Sequence, residues 1–321
     1  MELTGKNVMV TGGAGFIGSH LVDKLIESGC SKVVAVDNLY LGKEKNLEGA
    51  KATGKLVFYN ANAADENAMK KIINEHSVKA VFNLAVVPLP ASLEQPVFGY
   101  MENIEITSAI CELLRKDCFE TLVQYSSSEA YGTAKYAPMD EGHPLNPRTP
   151  YAASKAASDH LVTSYHYTYG TDTVIVRPFN NYGPRQNEGT YAAVIPLTIK
   201  RILDGKAPII YGDGLQTRDY VYVEDTADAT VKIFENVKTR GKAINLGSGE
   251  ETVIKDLIEK INSIVGGKEP IQYAPPRIGD VDRHIADISL AKKLIGYSPK
   301  TDWDVGLKKT ISWYLNQTRI E

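Results

Sequence analysis

The segment Thr11-Gly-Gly-Ala-Gly-Phe-Ile-Gly18 decides the fold of this 321-residue chain. It follows an apolar run at Asn7–Val10, which is typical of a buried strand, and it opens an amphipathic stretch with helical spacing. Glycines at positions 13, 15 and 18, and equally at 12, 15 and 18, match the signature of a tight turn that lets a pyrophosphate approach a helix N-terminus. The segment predicts a dinucleotide-binding turn. Its candidate cofactor-binding residues are Gly12, Gly15, Phe16, Ile17 and Gly18.

A single acidic residue sets the expected cofactor. Asp37 ends the second predicted strand, about 20 residues beyond the glycines, where the dinucleotide fingerprint has an acidic side chain. A carboxylate at this point accepts a hydrogen bond from the ribose 2′-hydroxyl and repels a 2′-phosphate. The sequence therefore favours NAD over NADP, and Asn38 is a neighbouring candidate for cofactor binding.

The first half of the chain alternates short β-rich runs with amphipathic helical stretches. This βαβ order predicts an α/β fold, a Rossmann-type doubly wound parallel sheet with right-handed crossovers. The strand candidates are Asn7–Val10, Lys32–Val36, Leu56–Tyr59, Ala80–Leu84, Thr121–Tyr125 and Thr173–Val176. The helix candidates include Ser19–Ser28, Glu66–Glu75 and Ile104–Lys116.

From about Phe179, glycine and proline punctuate shorter elements, which indicates a smaller C-terminal α/β lobe. The elements predicted there are strands Pro208–Tyr211 and Ala243–Leu246 and helices Val194–Leu203 and Ile254–Val265. We expect residues 1–178 to form an NAD-binding domain that includes the helix beginning near Tyr151. Residues 179–321 are expected to form mainly a substrate-binding lobe, interleaved with the sheet edge.

Composition and charge argue against several classes of protein. Apolar residues make up 43% and charged residues 23%, and the net charge is −3 with a pI near 6.1. No broad nucleic-acid-binding or membrane-binding face is expected, and no apolar run approaches the roughly 18 residues of a membrane span. Cys30, Cys111 and Cys118 are scattered without metal-ligand spacing. We therefore expect free thiols, no metal site and, because residues 1–6 resemble no secretory signal, a cytoplasmic protein.

A second informative cluster lies in the middle of the chain, where Ser126-Ser-Ser-Glu129 is followed by Tyr151 and Lys155. Tyr151 and Lys155 stand four residues apart at the start of a helical run, so both face the same side. A nearby ammonium and a positive nicotinamide ring would favour the phenolate and lower the tyrosine pKa from its ordinary value of about 10. Such a tyrosine can take the proton of a sugar hydroxyl while hydride leaves the carbon.

These motifs resemble the extended short-chain dehydrogenase/reductase family, and within it the NAD-dependent nucleotide-sugar epimerases and dehydratases. The resemblance covers essentially the whole chain. Beyond the glycine turn it rests on Arg177-Pro-Phe-Asn-Asn-Tyr-Gly-Pro-Arg185, on Gly212-Asp-Gly-Leu-Gln-Thr-Arg218-Asp-Tyr-Val-Tyr222 and on Arg277-Ile-Gly-Asp280-Val-Asp-Arg283-His-Ile-Ala-Asp287. Several independent motifs in the family's order argue against accidental similarity.

The resemblance implies a role for each matching residue. Tyr151 corresponds to the catalytic base, Lys155 to its partner on the nicotinamide ribose, and Ser127 to the residue that hydrogen-bonds the reacting sugar oxygen. Arg218 and Arg277 match arginines that hold the substrate diphosphate, where bidentate bonds suit phosphate geometry. The substrate-binding candidates are Asn180, Arg185, Tyr211, Arg218, Arg277 and Asp280. Further cofactor-binding candidates are Asn62, Ala63, Leu84 and Ala85.

The residues after Ser127 bear on the net reaction, which in this family begins with oxidation of the sugar C4 hydroxyl to a ketone. By the resemblance, 4-epimerases usually have small or uncharged groups there and glucose-type 4,6-dehydratases have Asp-Glu. Mannose-type 4,6-dehydratases and glucuronate decarboxylases have Ser-Glu, and this chain reads Ser128-Glu129. A carboxylate beside a 4-keto sugar can take the C5 proton. We therefore expect C5/C6 chemistry of the 4,6-dehydratase type, with Ser128 and Glu129 as further catalytic candidates.

Three other functions stay open: a nucleotide-sugar 4-epimerase, a net 4-dehydrogenase that releases the 4-keto sugar, and a non-catalytic NAD-binding scaffold. The sequence also departs from the family pattern. Asn62 stands where an Asp usually binds the adenine amino group, and Asn83 replaces a frequent His. The apolar, proline-stiffened loop Val86–Pro90 is expected to cover the sugar. Neither the nucleotide nor the sugar follows from these residues.

The resemblance implies a quaternary structure as well. The helical stretches Ile104–Lys116 and Tyr151–Tyr167 correspond to those that form a four-helix dimer interface in the family. We therefore expect a homodimer. Its expected substrates are nucleotide-diphosphate sugars.

Overall fold

The computed structural model of the chain describes residues 2–189, 191–277 and 279–318. The strands are β1 (Asn7–Thr11), β2 (Lys32–Asp37), β3 (Leu56–Asn60), β4 (Ala80–Asn83), β5 (Thr121–Tyr125), β6 (Thr173–Pro178), β7 (Asn180–Tyr182), β8 (Ile209–Tyr211), β9 (Thr217–Arg218), β10 (Tyr220–Tyr222), β11 (Ala243–Leu246), β12 (Thr252–Val253) and β13 (Gln272–Ala274). The helices are α1 (Phe16–Glu27), α2 (Glu48–Ala52), α3 (Glu66–Glu75), α4 (Leu89–Glu94), α5 (Pro96–Arg115), α6 (Pro150–Tyr169), α7 (Val194–Leu203), α8 (Val223–Glu235), α9 (Ile254–Val265), α10 (Ser289–Ile295) and α11 (Trp303–Thr318). Short 3-10 turns lie at Glu44–Leu47, Ser128–Tyr131 and Val237–Thr239.

A sheet of seven parallel strands forms the centre of the protein, in the order β11-β6-β5-β4-β1-β2-β3. The strand order reverses at β1, because the chain moves outward to β2 and β3 and then returns to the other side of β1 with β4. Ligands of open α/β sheets bind in the crevice beyond the carboxyl ends of the strands at such a reversal. The predicted Rossmann-type parallel sheet is confirmed.

The central strands are apolar throughout because both faces of the sheet are covered. Successive side chains of β1 point to opposite faces, so Val8 and Val10 enter one core and Met9 enters the other. The first core also contains Leu25 from α1 and Phe234 from α8. The second core contains side chains of α3, α5 and α6, namely Met69, Ile110 and Val162.

The C-terminal half adds smaller elements around one end of this sheet. Three pairs of short strands, β7 with β10, β8 with β13 and β9 with β12, lie outside the main sheet. A separate apolar core joins α7, α9 and α11, with Ile199, Ile258 and Ile311 among its buried residues. Strand β11, by contrast, pairs with β6 and completes the edge of the large sheet. The domain boundary at residue 178 stays a prediction.

One helix begins well before its predicted start. Helix α5 begins at Pro96, whereas the pattern had indicated Ile104. Its first turns carry Val97, Phe98 and Met101, which are exposed apolar residues and so hide the amphipathic period. Proline is compatible with the first turn of a helix, where its missing N–H is not needed. Among the described residues no helix has the length and apolarity that a membrane crossing requires.

Candidate active site

A cleft of about 590 Å³ lies beyond the carboxyl ends of the central strands. Its volume is within the range of small-molecule sites. The sequence-predicted residues on its wall are Gly12, Gly15, Phe16, Ile17, Gly18, Asp37, Asn38, Asn62, Ala63, Leu84, Ala85, Ser127, Glu129, Tyr151, Lys155, Asn180, Arg185, Tyr211, Arg218, Arg277 and Asp280. Ser128 is buried but does not line the cleft. The fold thus brings both groups of candidates, cofactor-binding and catalytic, to one site.

The glycine turn approaches its neighbours too closely to admit a side chain. Gly12 has φ +65°, and a Cβ built on it would lie 2.9 Å from the backbone nitrogen of Ala85. A Cβ on Gly18 would lie 2.1 Å from the carbonyl oxygen of Gly12. Gly15 is the N-cap of α1 and provides no side-chain hydrogen bond to the first turn. The N–H groups of that turn are therefore available to an anion such as a pyrophosphate.

The carboxylate of Asp37 lies where β2 ends, beside the glycine turn. It accepts hydrogen bonds from the backbone N–H groups of Ala14 (3.0 Å) and Leu39 (2.8 Å). Burial raises the pKa of Asp37, while these backbone donors oppose the shift. The bonds fix the carboxylate on the wall of the cleft, which fits the expected contact with a ribose hydroxyl.

A carboxylate that the sequence pattern did not single out lies beside Asn62. Glu102 of α5 accepts a hydrogen bond from the amide nitrogen of Asn62 at 2.8 Å, and both residues line the cleft. The amide oxygen of Asn62 accepts from the backbone N–H of Ala64 at 2.9 Å. An acidic group is therefore present at this end of the cleft, although it comes from a helix 40 residues further along the chain.

The catalytic candidates meet where β5 ends and α6 begins. Ser127 precedes the 3-10 turn Ser128–Tyr131, and its hydroxyl oxygen accepts from the backbone N–H of Glu129 at 3.2 Å. Lys155 donates to the carbonyl oxygen of Tyr125 at 2.9 Å, and its ammonium lies 6.0 Å from the centre of the Tyr151 ring. The lysine is thus anchored to the sheet on the same side of α6 as the tyrosine.

Burial acts on the protonation of both groups. It raises the pKa of Tyr151 to about 12, with a smaller opposing effect from a hydrogen bond with Ser127. It lowers the pKa of Lys155 to about 8, and the negative charge of Asp159 opposes that change. The protein alone therefore does not lower the tyrosine pKa as the sequence suggested. The contribution that the sequence assigned to a positive nicotinamide ring stays a prediction.

A buried ion-pair network ties α6, which carries Tyr151 and Lys155, to strand β6. Asp159, one helical turn after Lys155, accepts hydrogen bonds from Ser126 (2.8 Å) and from the Arg177 Nε–H (2.9 Å). Arg177 also donates to the Tyr131 hydroxyl at 2.8 Å. The spacing of Lys155 and Asp159 was a readable signal, because residues four apart share a helix face.

Two asparagines hold the strand ends and the loop Val86–Pro90 in place. The Asn83 amide accepts from the Thr11 hydroxyl at 2.6 Å and donates to Gln124 at 2.8 Å, which links β1, β4 and β5. Asn103 accepts from the Val87 N–H at 2.7 Å and donates to Ser154 at 2.9 Å. The loop Val86–Pro90 is thereby fastened to α5 and α6 with its apolar residues on the wall of the cleft.

The substrate-binding candidates also line the cleft. The buried Arg218 forms an ion pair with Asp280 and donates to the carbonyl oxygen of Thr217 at 2.8 Å. The Arg277 guanidinium lies 4.1 Å from the centre of the Tyr211 ring, within cation–π range.

Asn180 and Arg185 are held mainly by protein partners. The side chain of Asn180 donates to the carbonyl oxygen of Asp219 at 3.3 Å. Arg185 donates to Asp23 of α1 at 2.7 Å, which draws its guanidinium toward the glycine-turn helix. Their roles in substrate binding stay predictions.

Residues 8–247 match the family model "NAD dependent epimerase/dehydratase family". The chain is 37% identical over 313 residues to a putative UDP-glucose 4-epimerase of Methanocaldococcus jannaschii, covering 97% of this chain and 99% of the relative. It is 33% identical over 315 residues to a dTDP-glucose 4,6-dehydratase of Actinoplanes sp., covering 96% and 97%. A UDP-glucose 4-epimerase structure from Thermotoga maritima with UDP-glucose has a TM-score of 0.91 at 35% identity, covering 97% and 99%. Overall similarity does not separate the two reactions.

Proposed function

The chain belongs to the NAD-dependent epimerase/dehydratase family, and on that premise we propose that it is a nucleotide-sugar 4,6-dehydratase. It oxidises the C4 hydroxyl of a sugar carried on a nucleoside diphosphate and then eliminates water across C5 and C6. Return of the hydride to C6 and addition of a proton to C5 would then give a 4-keto-6-deoxy sugar. NAD, when bound, supplies a hydride acceptor and, later in the same cycle, a hydride donor.

The residues of the chain bind and move protons around that cofactor. The glycine turn and Asp37 would hold NAD at the sheet reversal, and Lys155 would contact its nicotinamide ribose. Ser127 hydrogen-bonds the reacting C4 oxygen, and Tyr151 takes the C4 hydroxyl proton. Arg218 and Arg277 neutralise the diphosphate and orient the sugar toward the tyrosine.

The position of Glu129 is the observation that most favours a dehydratase. Its carboxyl lies on the wall of the cleft, two residues after Ser127 and within the same local turn. Burial raises the pKa of Glu129, and the positive charge of Arg218 opposes that shift. A carboxylate with a raised pKa binds a proton more readily, so it suits removal of the C5 proton acidified by the C4 ketone.

A 4-epimerase is the second candidate, and the putative UDP-glucose 4-epimerase at 37% identity favours it. An epimerase needs only rotation of the 4-keto sugar and its reduction on the other face. In that case Glu129 would order the site without taking a proton.

The experiment is incubation of the NAD-loaded enzyme with UDP-, GDP-, CDP- and dTDP-sugars in D2O, with the products read by NMR. A 4-keto-6-deoxy product with solvent deuterium at C5 is expected. Glu129→Gln should abolish the C5 exchange while C4 oxidation persists, and Glu48→Gln, an exposed carboxylate on α2, serves as the matched control. A C4 epimer without exchange at C5 would refute the dehydratase. If Tyr151→Phe left every reaction unchanged, the scaffold alternative would replace both enzymes.

The homodimer and the cytoplasmic location complete the proposal. Helices α5 and α6 lie side by side and are joined by a hydrogen bond between the hydroxyl groups of Thr107 and Ser158 at 2.9 Å. Apolar side chains such as Met101 and Tyr167 are exposed on these helices, which supports a second copy as their cover. Light scattering at micromolar concentration should give twice the chain mass of 35.2 kDa. A monomer mass would contradict the dimer.

A further inference from the structure

His284 lies directly behind the turn that carries Glu129. The imidazole is fully buried, and its Nε2 is 2.7 Å from the carbonyl oxygen of Gly132, the residue that ends the turn Ser128–Tyr131. A carbonyl oxygen only accepts hydrogen bonds, so Nε2 carries the proton of the neutral ring. Burial lowers the pKa of His284 to about 4, which keeps the ring neutral near pH 7. The other nitrogen, Nδ1, is therefore a hydrogen-bond acceptor.

Nδ1 of His284 lies near the carboxyl group of Glu129. Nδ1 of His284 is buried without a hydrogen-bond partner in the described part of the chain, and it lies 4.0 Å from Oε1 of Glu129. Ring contact with Phe179, at 6.2 Å between centroids, restrains the imidazole from one side. A deprotonated Glu129 would present a second acceptor to Nδ1, whereas a protonated Glu129 can donate to it. An unsatisfied buried acceptor carries a free-energy cost, so the pair favours the state that supplies a proton.

We propose that His284 is a positioning residue for the proposed dehydration. Its Nδ1 accepts a hydrogen bond from Glu129 once that carboxyl has taken the C5 proton. The inference rests on the proposed function, because it is in that reaction that Glu129 takes a proton from the substrate. His284 gains and loses no proton. It makes the protonated acid more stable and holds its O–H until the proton passes to the departing C6 hydroxyl.

Within the elimination step, the protons balance between Glu129 and the sugar. The C5–H bond of the 4-keto sugar breaks, its proton passes to Glu129, and the electron pair is delocalised into the C4 carbonyl. The C6–O bond then breaks as the C5–C6 double bond forms. Glu129 returns the proton to the departing hydroxyl, which leaves as water. The carboxylate is regenerated, and the proton that is later added at C5 comes from solvent, which accounts for the deuterium expected at that carbon.

Other charged and titratable groups also face this pair, namely Arg218, Asp280, Tyr151 and His143. Arg218 stabilises the carboxylate form of Glu129, but it is already ion-paired with Asp280, whose negative charge acts in the opposite direction. Burial and the charge of Asp280 favour a protonated Glu129 as well, and Nδ1 of His284 is the nearby buried acceptor that a protonated Glu129 can donate to.

Two substitutions separate this role from mere packing. In His284→Gln the longer side chain places its amide at the position of Nε2, so the bond to Gly132 is kept while the Nδ1 acceptor is lost. In His284→Asn the shorter side chain places its amide oxygen at the position of Nδ1, so the acceptor is kept. We expect the Gln variant to slow C5 exchange by about 10- to 100-fold, the range of a hydrogen bond to a buried charged or acidic group. The acid limb of its pH–rate profile should move to lower pH, because the protonated acid is less stable. The Asn variant should recover most of the rate.

Equal losses in both variants, or an unmoved acid limb in the Gln variant, would overturn the proposal. A second measurement does not require turnover or a variant of His284. The ¹⁵N resonance of Nδ1 in the histidine-labelled enzyme should shift with pH as Glu129 titrates, and Glu129→Gln should remove that shift. An insensitive resonance would also overturn the proposal. If the wild-type enzyme shows no C5 exchange but Nδ1 does follow Glu129, the dehydratase assignment fails while the coupling of the two residues stands.

Discussion

The substitution Gly18→Ala tests whether the geometry of the glycine turn controls cofactor binding. The new Cβ would lie 2.1 Å from the carbonyl oxygen of Gly12 and 3.1 Å from the Cα of Gly13. Carbon–oxygen contacts normally begin at about 3.3 Å, so α1 must move away from the turn by roughly 1 Å. Both obstructing atoms belong to the backbone and cannot rotate aside. Overpacking of this kind costs about 1–3 kcal/mol of folding free energy.

The same movement withdraws the first-turn N–H groups from the position of the pyrophosphate. A misplacement of about 1 Å is enough to weaken a positioned interaction by as much as about 100-fold, so we expect the Kd for NAD to rise by about 10- to 100-fold. Isothermal titration calorimetry gives the Kd, and thermal unfolding with and without NAD separates the loss of stability from the loss of binding.

The chain offers a matched control in Gly49→Ala. Gly49 lies in α2, and a Cβ built on it meets nothing within 4 Å. Replacement of a helical glycine by alanine in open space should stabilise the fold by about 0.5–1 kcal/mol and leave the Kd for NAD unchanged. A Gly18→Ala variant that bound NAD as tightly as Gly49→Ala does would refute the role of the turn geometry in cofactor binding.

Two further predictions concern side chains of the cleft. Glu102→Ala should weaken NAD binding by about 3- to 10-fold and remove any preference for NAD over its hypoxanthine analogue, because the carboxylate would accept a hydrogen bond from the adenine amino group. Glu105→Ala, at an exposed position on the same helix, is the control. An unchanged preference in calorimetry would contradict this assignment. Lys155→Met should end C4 oxidation yet stabilise the protein without ligand. The folded pKa of about 8 lies below the ordinary 10.5, so the lysine costs stability once pH falls below 10.5, and the cost is complete below about 8. In chemical denaturation the gain at pH 7 should exceed that at pH 10 by about 2–3 kcal/mol, and a gain independent of pH would be inconsistent with a buried charge.

Local patterns in the sequence predicted the bounds of helices and strands where residues close together in the chain set those bounds. The helices Val194–Leu203 and Ile254–Val265 and the strand Ala243–Leu246 have the predicted bounds, because apolar spacing and flanking glycines or prolines mark their ends. The start of α5 was missed because Phe98 and its exposed apolar neighbours interrupt that spacing. The place of the strand Ala243–Leu246 in the large sheet was also not readable, since pairing with β6 joins distant segments.

Long-range contacts account for the site residues that the sequence did not indicate. Glu102 contacts Asn62 across 40 residues, and Asn103 contacts Ser154 across 51. His284 reaches the turn of Glu129 and Gly132 from 152 residues away. No periodicity relates such positions, because their proximity depends on how helices and loops pack against the sheet.

The sequence by itself determined the parallel α/β fold, the glycine turn with Asp37, and the pairing of Tyr151 with Lys155 on one helix face. Each of these depends on spacing within one element or between an element and the next, and the physical chemistry of such spacing is local. Only the tertiary structure decided that Ser128 stays out of the cleft, that Glu102 lies beside Asn62, and that an unpartnered nitrogen of His284 faces Glu129. These arrangements arise where segments far apart in the chain are buried together, and burial also sets the protonation of the groups that meet there.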